Sequence, residues 1–175
     1  MTIKAYVGCK MTGLDCAPMI DAAQHISHIL YEYGIEPYHP VLKEAIPYVD
    51  EPLQERSPEE MNQIWLDDKK AVRESHIILD TAPHLFSAGL KQEVGKARYR
   101  DWKPVVAIFP EGFDMSKVSF ITKAEYDYVT NSIEDAAEYI RYMWGTRLHR
   151  MMWRLPIYLR HSLDLSLRKI VQFFY

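Results

Sequence analysis

The chain has 175 residues, a formal net charge of −3 and only two cysteines, Cys9 and Cys16. That length suits one domain with a sizeable core. The charge gives no electrostatic reason to expect nucleic acid as a global partner, and two cysteines make neither a disulfide framework nor a zinc site. Arg154, Arg160 and Asp164 interrupt the one stretch apolar enough to suggest a bilayer span. A strand predicted from Ile3 leaves no room for a signal peptide, so the expected compartment is the cytoplasm.

Ile3 to Val7 predicts a buried strand that runs straight into Gly8-Cys9-Lys10-Met11-Thr12-Gly13, a turn with glycine enough to bring backbone close to a ligand. The glycine spacing fits neither the dinucleotide fingerprint nor a phosphate-binding P-loop. Cys9, at a strand end, invites a reading as a thiolate nucleophile, but no histidine partner is evident nearby. Pro18 to Tyr33 predicts a helix that buries Ile20, Ala23, Ile26, Ile29 and Leu30, with Gly34 as its stop. His25 and His28 lack further ligands in the pattern and read as surface or packed histidines rather than a metal pair. A second strand is expected from Ile35 to Pro40. Val41 to Arg56, with Pro47 and Pro52, reads as a loop over the site.

Ser57-Pro58-Glu59-Glu60 has the signals of a helix start: Ser as N-cap, Pro at the first position, Glu at the third. Met61, Ile64, Trp65 and Val72 form its expected apolar face. Asp68 falls on that face, whereas Asp67 joins Glu60, Gln63, Lys70 and Glu74 on the wet side. An acid on a buried stripe is costly unless paired or functional. Lys69 or Arg73 would be its partner in the purely structural reading.

The segment from Ser75 to Phe109 reads as a strand at His76–Asp80, a loop through Pro83, a helix with Leu90, Val94 and Ala97 on one face, and a strand at Pro104–Phe109. That succession is a right-handed βαβ crossover in a parallel sheet, and ligands in such sheets sit beyond the carboxyl ends of the strands. Glu93 lies on the apolar side of this helix, with Lys91, Gln92, Lys96 and Arg98 on the rest. It reads either as a first-turn carboxylate favoured by the helix dipole or as a carboxylate aimed into a cleft as nucleophile or base. Glu111 to Thr122 reads as a loop, and Ser132 to Met143 as a helix with Ile133, Ala136, Ala137 and Ile140 inward. Residues 144–175 form a separate basic extension. Its last helix, opened by Pro156, carries Leu159, Leu163, Leu167, Ile170, Val171 and Phe174 on one face. Packing on the domain or on a sister subunit is the expectation for it. Contact with an anionic membrane surface or with nucleic acid is the less favoured reading, since Asp164 breaks the positive face.

The run Ser87-Ala88-Gly89-Leu90-Lys91-Gln92-Glu93-Val94-Gly95 after an apolar strand resembles the active-site loop and helix of the nucleoside 2-deoxyribosyltransferase superfamily. Gly8 to Leu14 is similar to that group's first loop, although Cys9 or Lys10 stands where relatives commonly carry Pro. The resemblance covers roughly residues 1–143. It implies a three-layer α/β domain with a mainly parallel, flavodoxin- or Rossmann-like sheet. It also implies cleavage or transfer at the N-glycosidic bond of a nucleoside or nucleotide, with neither metal nor organic cofactor, by a homodimer or higher homo-oligomer.

Carried over residue by residue, the resemblance makes Glu93 the nucleophile at the anomeric carbon and Asp68 a substrate-contacting acid. Tyr6 becomes a phenol beside the carboxylate, though a core aromatic is its plain structural reading. Gly8, Cys9, Lys10, Ser87 and Gly89 become substrate-binding positions. The transferases typically have Asp six residues before the catalytic Glu. The nucleotide hydrolases have Ser there and Gly two residues later, as Ser87 and Gly89 stand here. An Asp repels a 5′-phosphate, whereas Ser and backbone N–H groups accept one, with Lys10 adding charge. A nucleoside 5′-monophosphate is therefore the expected substrate. A non-catalytic nucleotide-binding module acting through its extension is the alternative.

Overall fold

The structure, a computed structural model, describes residues 2–9, 16–44, 57–85, 87–101 and 103–145. Lys10 and the rest of the first loop, most of the proline-containing loop after Glu44, and residues 146–175 of the extension lie outside them. Five strands, β1 (Ile3–Gly8), β2 (Ile35–Tyr38), β3 (Ile77–Asp80), β4 (Val105–Ile108) and β5 (Tyr128–Thr130), make one sheet in the order β2-β1-β3-β4-β5. Every pairing is parallel. The order is that of flavodoxin-like sheets, and the chain reverses direction across the sheet between β1 and β3.

A parallel sheet must be covered on both faces, and the strand residues are apolar on both sides accordingly. Helices α1 (Cys16–Glu32) and α6 (Ile133–Gly145) cover one face, packing Ile29, Leu30, Ala136, Ala137 and Ile140 on Ala5, Val7, Leu79 and Val106. On the other face α3 (Pro58–Glu74) and α4 (Ala88–Tyr99) set Val72, Leu90, Val94 and Ala97 against Tyr6, Ile78, Val105 and Ala107. Each fully buried aliphatic side chain contributes roughly 1.5–3 kcal/mol. The layers are thus the expected three-layer α/β fold, with a sheet that is wholly rather than mainly parallel. Pro37 is tolerated because β2 is an edge strand. Gly34 ends α1 at φ +73°, a conformation that a side chain would strain.

Several expectations need correction. Residues Val41 to Glu44, expected as loop, and Pro40, expected to end the second strand, form a short helix, α2 (Pro40–Glu44). The loop expected over Glu111 to Thr122 holds a 3-10 turn at Met115–Lys117 and already enters α5 (Phe120–Glu125), after which β5 follows. These elements are too short to show a period. Helix α3 starts as expected, with Ser57 and Glu60 capping each other, but its predicted apolar face is not all buried. Met61 is 51% and Trp65 47% exposed, while Ile64, Asp68, Ala71 and Val72 turn inward. Helix α6 extends two residues past Met143, so Trp144 belongs to it, with its ring 5.4 Å from that of His76. His25 and His28 are exposed, and His28 pairs with Glu32 at 3.4 Å. Among the described residues no helix is long and apolar enough to cross a membrane.

Arg98, expected on the outer side of α4, is buried. Its guanidinium donates to the carbonyl of Ala124 at 3.0 Å and to Asp127 at 3.4 Å, and Asp127 also accepts from the backbone N–H of Val105 at 2.9 Å. Removing one partner of such a pair leaves a charge buried and uncompensated, at a cost of about 3–5 kcal/mol. Asp127→Ala should therefore lose stability on that scale in urea unfolding, against ~1 kcal/mol for Ser57→Ala at the α3 cap. Equal small losses would show that the Arg98 pair contributes little.

Candidate active site

Strands β1 and β3 end level, with Gly8 paired to Asp80, and the loops beyond them open on the crevice where such sheets bind ligands. Thr81 ties the two ends together, its N–H and hydroxyl both donating to the Gly8 carbonyl, at 2.9 and 3.1 Å. From there the chain turns through Pro83 and enters α4 with Ser87 as N-cap, the hydroxyl accepting from Leu90 N–H at 3.4 Å. Gly8 lets α4 approach, since a Cβ there would run into the Leu90 side chain and close on the Tyr6 ring.

Glu93 sits in the second turn of α4, six residues after the cap, so the dipole at the helix start does not account for it. Its Oε2 accepts a hydrogen bond from the Tyr6 hydroxyl at 3.0 Å, joining positions 87 apart in sequence. Burial pushes the Glu93 carboxyl above its ordinary value; the Tyr6 hydrogen bond and Lys96 pull in the other direction without overcoming it. Tyr6 itself is buried, and its ring stacks on Tyr38 with centroids 5.9 Å apart.

Glu93 and Gly89 line a groove of about 340 Å³ between α3 and α4. Lys69, Lys70, Arg73, Lys96 and Arg100 line it too, against one other acid among the described residues, Asp101. Arg100 and Asp101 pair with each other at 2.8 Å. Lys69 lies 3.0 Å from the centroid of the Trp65 ring, and desolvation, then Lys96 and Arg100, hold its pKa below the usual lysine range. The groove is an anion-favouring surface beside a half-buried carboxylate.

The structure brings Tyr6, Gly8 and Glu93 together and sets Ser87 and Gly89 at the start of the same helix. Asp68 is on the inward side of α3, half-buried with Oδ1 shielded from solvent, but does not line the Glu93 groove. Asp67 is exposed and accepts from Gln63 at 3.1 Å. Cys9 is half-buried and packs on a small cluster around Ala23 and Val41. No group of three or more His, Cys, Asp or Glu among the described residues is arranged to hold a metal ion.

Sequence reasoning missed a fully buried carboxylate. Asp80 accepts from Tyr126 Oη at 2.6 Å and from Ala82 N–H at 3.0 Å, with Lys91 Nζ 4.0 Å away and itself donating to Tyr126 at 2.9 Å. Burial still holds the Asp80 carboxyl above its ordinary value and pushes the Tyr126 phenol up. This network joins the loop after β3, the first turns of α4 and the end of α5. The one signal in the sequence was an acid ending an otherwise apolar strand.

A raised value means that folded Glu93 holds its proton more tightly than the unfolded chain does. Stability therefore falls as pH rises from the ordinary glutamate value through the raised one, and the deficit persists at neutral pH. Glu93→Gln, which retains an acceptor for Tyr6, should melt above the wild type at pH 7, with the gap closing toward about pH 4. A gap that widens on acidification would reverse the assigned shift.

No protein-family model and no curated protein matches the sequence. Solved structures do match the fold. A 2-deoxyribosyltransferase from Bacillus psychrosaccharolyticus superposes with a TM-score of 0.57 at 14% identity, over 78% of this chain and 91% of its own. A conserved protein from Enterococcus faecalis V583 does so at 0.54 and 18% identity, over 81% and 99%. A CMP N-glycosidase from Clostridium botulinum aligns at 12% identity over 79% and 98%, with a TM-score of 0.44, too loose a likeness to argue from. The site around Tyr6 and Glu93 is thus built on a fold shared with the Bacillus 2-deoxyribosyltransferase.

Proposed function

We propose that the chain breaks the N-glycosidic bond of a nucleoside 5′-monophosphate, with Glu93 as nucleophile. The observation that carries this reading is the half-buried Glu93 carboxylate, which accepts a hydrogen bond from the Tyr6 phenol near the carboxyl end of β1. Glycosidic cleavage passes through a transition state with oxocarbenium character, which a desolvated, oriented carboxylate stabilises. Glu93 Oε attacks C1′ as the C1′–N bond breaks, and the base leaves with the bonding electron pair and takes up a proton. Asp68 orients substrate or handles that proton. Water then attacks C1′ of the glycosyl ester, losing a proton and freeing Glu93; a second base in place of water gives transfer. Every step draws on carboxylate and proton-transfer chemistry alone.

The phosphate preference rests on Ser87 and Gly89 at the start of α4 and on the cations beside Glu93. A homodimer accords with Met61, Trp65 and Leu66 standing exposed on α3, where a second copy would cover them.

Free base released from a panel of nucleosides and their 5′-monophosphates tests the reading. Monophosphates should be favoured in kcat/KM, and Ser87→Asp, which keeps an N-cap, should narrow or invert the preference. Glu93→Gln should abolish release while the fold persists. Asp68→Asn should lower turnover strongly and Asp67→Asn little. Wild-type rates in Glu93→Gln would sink the nucleophile assignment, and equal use of nucleosides and nucleotides would sink the phosphate pocket.

The pH profile supplies a separate check. The acid limb of kcat/KM should lie above the ordinary glutamate range and move further up in Tyr6→Phe, which deletes the hydrogen bond favouring the ionised form. An unmoved limb would mean that Glu93 is not the titrating group.

A further inference from the structure

The groove between α3 and α4 carries more positive charge than a single phosphate calls for. Lys69, Lys70, Arg73, Lys96 and Arg100 line it against two acids, Glu93 and Asp101, so cations exceed acids by three. A phosphomonoester brings a charge of about −1.5 to −2 at neutral pH. Arg100 is engaged by Asp101, but Lys69, Lys70, Arg73 and Lys96 form no salt bridge among the described residues. The like charges crowd one another across the two helices. Desolvation first, then Lys96 and Arg100 of α4, hold Lys69 of α3 below the usual lysine range. An anion seated among them relieves that repulsion.

Position along α4 narrows the choice of anion. Ser87, at the 5′-phosphate end, stands six residues before Glu93, about 9 Å back along the helix. Lys96 and Arg100 stand three and seven residues after Glu93, about 4.5 and 10.5 Å in the opposite direction. Helical side chains lean toward the helix start, so Lys96 reaches back toward Glu93, where its charge favours the ionised carboxylate. A longer 5′-polyphosphate runs past Ser87 and away from these cations. With the 5′ side at Ser87, two substituents of the sugar remain to face them: the base, which is neutral at physiological pH, and the group on O3′. Resting on the reading of Glu93 as the nucleophile beneath C1′, we propose that the groove between Lys69 and Lys96 is a subsite for a phosphate on the 3′ oxygen of the substrate. A 3′,5′-bisphosphorylated nucleotide is then preferred over the 5′-monophosphate.

Calorimetric titration of full-length Glu93→Gln, in which binding is read without turnover, tests the subsite. The ligands are the 5′-monophosphate, 3′,5′-bisphosphate and 5′-triphosphate of each common deoxynucleoside. The bisphosphate should bind about tenfold tighter than the monophosphate, the worth of one charge-assisted hydrogen bond. The triphosphate carries more charge on the wrong side and should gain less. Lys69→Ala or Lys96→Ala, added to this variant, should erase most of the bisphosphate's gain, and added salt should shrink it. A 5′-phosphorylated dinucleotide, run beside the bisphosphate, shows whether a free nucleotide or a strand supplies the 3′-phosphate. Four results would each overturn the subsite: equal affinity for bisphosphate and monophosphate, a triphosphate that matches the bisphosphate, no saturable heat from any nucleotide, or a gain that survives both lysine variants. Base release is followed separately on the wild type. Release from the monophosphate without a bisphosphate preference sinks the subsite alone, whereas a preference without release sinks the reaction and leaves the subsite standing.

Discussion

The approach of α4 to β1 is the constraint on which the rest of the site depends. Gly8 has no side chain, so Leu90 packs directly over the strand end. That brings Glu93, one turn further along, within 3.0 Å of the Tyr6 hydroxyl. A helix held farther out would leave Glu93 in water with an ordinary pKa and Tyr6 without its acceptor. Closeness of backbone thus sets both the geometry and the electrostatics of one carboxylate.

Acids in this protein lie under three different balances. Asp127 is buried against Arg98, a guanidinium that is equally shielded, and serves as a structural tie between α4, α5 and the sheet. Asp80 is deeper still and has two hydrogen bonds and a lysine 4.0 Å away, enough to hold it in place but not enough to offset its desolvation. Glu93 has one phenol and a more distant lysine, and also stays above its ordinary value. Of these three, Glu93 is the one that lines the groove between α3 and α4.

Tyr6, which holds Glu93, stacks on Tyr38 of the edge strand. The rings are nearly parallel, 13° apart. Short strands make this arrangement possible, because β2 ends at Tyr38 and lets the chain turn into α2 immediately beyond.

Local pattern and capping signals determined the inward faces of α1, α4 and α6, the stop at Gly34, the cap at Ser57, the inward turn of Asp68 against the outward turn of Asp67, and the inward side of Glu93. Each of these depends on residues within a turn or two of one another, where side-chain direction follows from backbone geometry. Tertiary structure decided what those faces meet. Met61 and Trp65 belong to an apolar pattern yet remain exposed in this chain, because a pattern says which side is apolar and not what covers it. Arg98 is buried because Asp127, 29 residues away, is buried with it. Elements as short as α2, α5 and β5 have too few residues to show a period, so packing alone defines them. The bonds of Tyr6 to Glu93 and of Tyr126 to Asp80 join residues 87 and 46 apart, and a separation of that length is closed only by the sheet order and the helices packed on it.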